Sequence, residues 1–227
     1  MAKSLFITAT GTDVGKTYVT ALMVKKLRNA GYDAGYYKAA MSGVEKTEQG
    51  LLSGDAGYVK QLCGLNDGHE ELVTYTYENP VSPHLAARWE GNPVLLKEVK
   101  KAFAHTCGKH EYIAVEGSGG ILCPLRHDEG GTLLLEDMIR ELGLSSLIIA
   151  DAGLGTINAV VLTVEYMKVR DLPIKGILFN RWQPENPMHQ DNRKMVEELT
   201  SLPVLAFVKE NDIELDIDAK SLAALYE

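Results

Sequence analysis

The sequence predicts an α/β protein with a doubly wound, mainly parallel seven-stranded sheet and helices on both faces. Three observations carry this. Short apolar runs alternate with helical stretches along all 227 residues. Most of those runs are continuously apolar, as strands buried on both faces require. Several end in glycine-rich turns that lead into helices, beginning with Gly11-Thr12-Asp13-Val14-Gly15-Lys16-Thr17.

Taken in order, the apolar runs are residues 5–8, 34–38, 72–76, 112–116, 147–151, 176–180 and 204–207. Helical stretches fall between them at 17–30, 54–63, 95–106, 132–142, 156–170 and 189–199. The first helix places Val19, Leu22, Met23 and Leu27 on one face, the spacing of a helix packed on a core. The connections at 41–53 and 77–93 are long enough to serve as substrate loops. The length fits one α/β domain, and 45% hydrophobic residues supply a large core.

The turn after the first strand has the chemistry of a phosphate-binding loop. Small residues let backbone N–H groups turn onto an anion, and the helix that follows presents its positive end to the same anion. Asp13, Val14, Gly15, Lys16, Thr17 and Tyr18 form the candidate nucleotide-binding stretch, with Lys16 reaching phosphates and Thr17 offering its hydroxyl to Mg²⁺. The strict spacing G-x-x-x-x-G-K-[ST] is not met, because Thr10 stands where the first glycine belongs. The order strand, loop, helix keeps the P-loop NTPase-like reading.

Polar residues at strand ends extend the candidate site. Lys38 ends the second strand, so its ammonium is expected beside the phosphate loop; the alternative is a solvated lysine. Asp55 starts a helix, where a carboxylate favours the helix dipole with or without a function. Glu116 stands where a buried strand meets Gly117-Ser118-Gly119-Gly120, the place of the second acidic motif of P-loop nucleotide hydrolases. Thr17, Asp55 and Glu116 are thus candidate oxygen ligands of Mg²⁺. Ala152-Gly153-Leu154-Gly155-Thr156-Ile157-Asn158 forms a second glycine turn and helix start, suited to a carboxylate or to plain connection. Asn180 either meets the edge of a nucleobase or makes a turn.

Composition narrows the function. A net charge of −8 and the lack of a basic run argue against nucleic acid as a main partner. No apolar run of about 18 residues occurs, so neither a membrane span nor a signal peptide is expected, and the protein is expected to be cytoplasmic. Cys63, Cys107 and Cys123 lack C-x-x-C spacing and are read as reduced bystanders.

Together the motifs Thr-Asp-Val-Gly-Lys-Thr at 12–17, Tyr-Lys at 37–38, Ser-Gly at 42–43, Glu-Lys-Thr at 45–47, Asp55, Ser-Pro-His at 82–84, Val-Glu-Gly-Ser-Gly-Gly at 115–120, Leu-Gly-Thr-Ile-Asn at 154–158 and Asn180 resemble the dethiobiotin synthetase family. The resemblance implies an ATP- and Mg²⁺-dependent ligase of biotin biosynthesis that joins 7,8-diaminononanoate and CO2, acting as a homodimer. It implies catalytic roles for Lys38, Lys16 and Thr12, and places Thr12 and Ser42 at the reacting end of the substrate. The resemblance further implies that Gly155 and Asn158 hold the substrate carboxylate across the subunit interface, and that Val208 and Asn211 lie by the adenine. This chain departs from the family at Ala9, which replaces a glycine, and after the last strand, where a proline is missing. A family tyrosine also has no counterpart around Asp191-Asn192-Arg193. The rival is a dimeric switch ATPase of the partitioning or iron-protein type, which carries a lysine where this chain has Gly11.

Overall fold

A computed structural model describes residues 2–45 and 54–227. The chain runs β1 (Lys3–Ala9), α1 (Lys16–Asn29), β2 (Ala34–Met41), α2 (Asp55–Cys63), α3 (His69–Leu72), β3 (Val73–Thr76), α4 (Pro83–Trp89), α5 (Leu96–Cys107) and β4 (Tyr112–Glu116). It continues through β5 (Pro124–Asp128), β6 (Gly131–Leu134), α6 (Leu135–Leu142), β7 (Ser146–Asp151), α7 (Thr156–Val169), β8 (Ile174–Asn180), α8 (Pro187–Thr200), β9 (Val204–Phe207) and α9 (Ala219–Ala223).

Seven strands form one sheet in the order β3-β2-β4-β1-β7-β8-β9. Every neighbouring pair in it is parallel. Its two faces explain the continuous apolar runs. Phe6, Tyr37, Val115, Ile148 and Phe179 pack on one side with Val99, Met138, Val160 and Val196 of α5, α6, α7 and α8. Leu5, Ile7, Tyr36, Ala114 and Leu178 point to the other, against Val19 and Met23 of α1, Val59 of α2 and Leu222 of α9. Successive side chains alternate across a strand, so a strand with no polar face is one covered twice.

Two expectations are corrected. The helix expected over 132–142 begins only at Leu135, because Gly131–Leu134 pairs antiparallel with Pro124–Asp128 as a two-stranded hairpin. Asp128 turns that hairpin by accepting the Gly130 N–H at 2.8 Å, and Gly131 takes φ 122°, which no helix admits. The connection 77–93 is not plain loop, since Pro83 opens α4 inside it. Lys46 and Thr47 of the Glu-Lys-Thr motif lie outside the described residues.

At the far end of the sheet, Glu71 closes α3 by accepting the Gly68 N–H at 2.7 Å and an ammonium hydrogen of Lys109 at 2.5 Å. The Lys109 hydrogen bond, then the Gly68 N–H, hold its carboxyl down at about 2, against an ordinary 4.5. A carboxyl with a lowered folded-state pKa stabilises fully above its unfolded value and loses that contribution as pH falls toward the folded one. Glu71→Gln is therefore expected to be less stable at neutral pH and to lose stability less steeply between pH 4.5 and about 2 in acid-titration melts. An unchanged slope in that window would remove Glu71 from the account of acid stability.

Candidate active site

The parallel register places the site. Lys38 pairs with Glu116 across β2 and β4, and Ile7 of β1 pairs with Glu116 on the other side. The carboxyl ends of β1, β2 and β4 thus converge where α1 begins, as expected for ligands of an open α/β sheet. A cleft of about 630 Å³ opens there. Thr12, Asp13, Gly15, Lys16, Thr17, Lys38, Ser42, Asp55, Ser118 and Gly119 all line it.

The phosphate loop is shaped by two left-handed residues, Asp13 at φ 61° and Gly15 at φ 85°. Gly15 has a second reason to be glycine: a Cβ there would lie 2.1 Å from Asn180 Nδ2. Ala9, by contrast, simply ends β1 and is not among the positive-φ residues, so alanine costs nothing there. α1 carries no acidic side chain in its first turn, which leaves its positive end open to an anion. Gly117 lets the next turn pass close, since a Cβ on it would meet the Phe6 ring at 2.8 Å. The Gly117 N–H donates to the Ile7 carbonyl at 3.0 Å and the Ser118 hydroxyl to that of Ala40 at 2.9 Å.

Beneath the cleft lies a compact set of charges. Lys38, 3% exposed, donates to Glu116 Oε1 at 2.6 Å and to Asp55 Oδ2. Thr17 donates its hydroxyl to the same Glu116 Oε1 at 2.8 Å. Burial alone lowers the pKa of Lys38, but the Glu116 and Asp55 carboxylates outweigh it and raise the ammonium above its ordinary value. Asp55 moves the opposite way: burial opposes its charge, yet Lys38, Thr17 and Lys16 hold it below the ordinary carboxylate value. Lys16 is lowered, first by burial, with Lys38 adding to the effect and Glu116 opposing it.

Glu116 Oε2 is buried and makes no hydrogen bond within ordinary reach, although the buried Tyr36 hydroxyl, likewise unpaired, lies close enough to the carboxylate to interact with it. A buried carboxylate oxygen left this way is costly unless something else binds it. With Thr17 and Asp55 it offers oxygen donors of the kind Mg²⁺ takes. No cluster of three or more His, Cys, Asp or Glu able to hold a metal occurs among the described residues. A cation here needs further oxygens, from water or nucleotide, which is how Mg²⁺ is usually held.

Other expected residues lie around the loop and do not line the cleft. Asn180 Nδ2 donates to the Val14 carbonyl at 2.9 Å, so the asparagine braces the phosphate loop. Tyr18 donates its hydroxyl to the Asp212 carbonyl, laying the segment after β9 along α1. Asn211 in that segment is left-handed at φ 65°. Val208 is buried, with its N–H on Phe179 O at 2.8 Å and its carbonyl accepting from Trp182 N–H at 2.9 Å. Gly155 and Asn158 stand at the start of α7, away from the cleft in this chain. Sequence reasoning did not single out Arg181, which touches the phosphate loop, or Cys123, which lines the cleft. Arg181 carried a signal in its place one residue beyond Asn180 at a strand end. Cys123 carried none; burial pushes its thiol up to about 11, so it lines the cleft as an apolar residue.

A parallel sheet with a glycine-rich turn, a helix N-terminus and a buried lysine between carboxylates defines a P-loop nucleotide-binding protein, and the AAA domain family matches residues 3–214. The chain belongs to the dethiobiotin synthetase family within that class. It is 49% identical over 227 residues, covering 100% of both chains, to the ATP-dependent dethiobiotin synthetase of Brachyspira hyodysenteriae. It is 44% identical to that of Clostridium botulinum strain Loch Maree, covering 100% of this chain and 99% of the relative. A ParA family ATPase from Chlorobium tepidum matches in structure with a TM-score of 0.58 at 12% identity, over 93% of this chain and 86% of that one, a likeness of fold.

Gly15→Ala is expected to weaken ATP binding by at least about tenfold, because the added methyl collides with Asn180 and the left-handed turn must be given up. Equilibrium dialysis with labelled ATP reads this directly, and unchanged affinity would show that the turn does not depend on Gly15.

Proposed function

We propose that this chain joins 7,8-diaminononanoate and CO2 at the expense of ATP, giving dethiobiotin, ADP and phosphate. One amine captures CO2 as a carbamate and releases a proton. A carbamate oxygen then attacks the γ-phosphorus, the bond to the β-phosphate oxygen breaks, and ADP leaves. The second amine attacks the carbonyl carbon of the resulting anhydride, phosphate departs and the ureido ring closes. Such chemistry asks a protein chiefly for positioning and for neutralising charge on the transferring phosphoryl group.

The observation that carries this reading is the Lys38 ammonium, held between Glu116 and Asp55 on a cleft that also exposes Lys16 and the start of α1. Lys16 bridges phosphates. Lys38 stabilises the carbamate and the developing phosphoryl charge, and Thr12 and Ser42 orient the reacting end of the substrate. Ser42 is itself fixed, donating to the Val81 carbonyl at 2.6 Å. Thr17, Asp55 and Glu116 would hold Mg²⁺, which would supply charge neutralisation on the phosphates. The nucleoside end is assigned to the side of Tyr18 and Asn211, with Asn180 bracing the loop and the buried Val208 supporting the segment from behind, and Gly117, Ser118 and Gly119 form the facing turn.

The substrate carboxylate is assigned to Gly155 and Asn158 at the start of α7 of a second copy, the protein acting as a homodimer. Two features support this. The first turn of α7 has no acidic residue. Exposed apolar side chains stand on α7 and just before it, Leu162 at 62%, Val169 at 78% and Leu154 at 93%, among the exposed polar residues Asn158, Glu165 and Lys168. The switch-ATPase reading rests on fold alone, and Gly11 stands where those proteins carry lysine.

The test is ATP turnover with and without 7,8-diaminononanoate and bicarbonate, with mass detection of the cyclic urea. ADP formation that requires both and yields the urea is expected; ADP formation indifferent to the diamine would overturn the reading. Lys38→Leu is expected to bind ATP within about threefold of wild type and to lose product formation by at least about a hundredfold. It removes a buried partner from two carboxylates, so assays belong below its lowered melting temperature. Undiminished product formation would remove Lys38 from the chemistry.

A further inference from the structure

We infer that Arg181 is a positioning residue for the phosphate loop, holding the loop carbonyls outward so that its N–H groups face the triphosphate. The inference rests on reading that loop as the ATP site. Arg181 follows directly on Asn180 at the carboxyl end of β8, and the two act as a pair. Arg181 Nη2 donates to the Asp13 carbonyl at 2.8 Å, while Asn180 Nδ2 donates to the Val14 carbonyl at 2.9 Å. Two consecutive carbonyls of the loop are thus held by two consecutive side chains from the end of β8, two strands away from β1 in the sheet.

The consequence follows from the geometry of the peptide unit. In a planar trans peptide the C=O and the N–H of the next residue point in opposite directions. Fixing the Asp13 and Val14 carbonyls toward β8 therefore aims the N–H groups of Val14 and Gly15 away from β8. The cleft is lined by Asp13 and Gly15 but by neither Asn180 nor Arg181. Donors aimed in this way form the anion-binding concavity that a phosphate requires.

The guanidinium is itself held. Arg181 Nη1 donates to Asp151 Oδ2 at 2.7 Å, at the end of β7, and the other oxygen of Asp151 accepts the Gly153 N–H at 2.7 Å. The Arg181 and Asp151 side chains are 54% and 35% exposed, so the pair adds little to stability and its effect is on loop shape. The backbone agrees with a positional role. Asp13 and Arg181 are both left-handed, at φ 61° and 56°, an uncommon conformation for either residue type, and one hydrogen bond joins them. A lysine keeps the charge but cannot reach two acceptors with a rigid fork.

The test compares Arg181→Lys and Arg181→Asn with wild type in ADP affinity by calorimetry, KM and kcat for ATP in product formation, and melting temperature. Asparagine tolerates the left-handed backbone, so Arg181→Asn should melt at or above the wild-type temperature. Both variants are expected to bind ADP about tenfold more weakly and to show a similarly raised KM for ATP, with kcat changed less than about threefold. ADP affinity within about twofold of wild type in both variants would overturn the inference. So would a melting-temperature loss in Arg181→Asn that accompanies the weakened binding, since that marks a merely structural contact. ADP affinity does not depend on the diamine, so failure of wild type to make the cyclic urea counts against the proposed function and leaves the Arg181 comparison intact.

Discussion

An ammonium group taken out of water needs carboxylates around it, and this site is built around the one on Lys38. Its position follows from strand register. Lys38 lies within β2 opposite Glu116, the last residue of β4, and Asp55 begins α2. The contacts at 2.6 Å to Glu116 and 2.8 Å from Thr17 to the same oxygen tie the sheet to the first turn of α1. A shift of either strand by one residue would turn its side chains to the opposite face and separate the groups. The fully parallel arrangement, with both faces of the sheet covered, is what keeps that register.

Charge burial of this kind is seldom favourable for its own sake, because desolvation of the ions offsets most of their attraction. The arrangement makes more sense as a poised receptor. Two lysines and two carboxylates balance one another, Lys16 is held below and Lys38 above the ordinary ammonium value, and one carboxylate oxygen of Glu116 makes no hydrogen bond. Such a set is ready to exchange contacts when a polyanion and a cation enter, with little reorganisation of the backbone. The glycines of the two turns allow this approach, Gly15 against Asn180 and Gly117 against Phe6.

Much of this was legible in the sequence. The seven strands announced themselves as continuous apolar runs, since burial on both faces removes the polar alternation. Asp55 and Glu116 were legible because each stands where an element begins or ends, and ligand sites of such sheets lie near those ends; Lys38 was legible as a lysine in an apolar run, although β2 continues past it to Met41. The hairpin at Pro124–Asp128 and Gly131–Leu134 was misread because four residues before α6 share its apolar character, and a short apolar run does not separate strand from helix. The bracing of the loop by Asn180 was not legible, because a contact across 166 residues depends on which strands are neighbours. Cys123 was unreadable for the opposite reason: a thiol in a cleft wall acts there through shape, which spacing does not encode.

We propose that Glu116 joins the lysine and the threonine through one carboxylate oxygen and would meet a cation through the other, which makes no hydrogen bond in the structure. The most direct test of this is calorimetric titration of ADP into wild type and Glu116→Gln, each with Mg²⁺ and with the metal chelated. Mg²⁺ is expected to strengthen ADP binding to wild type, and this metal-dependent gain to vanish in Glu116→Gln while metal-free ADP affinity stays within about threefold. A full metal-dependent gain in Glu116→Gln would contradict it.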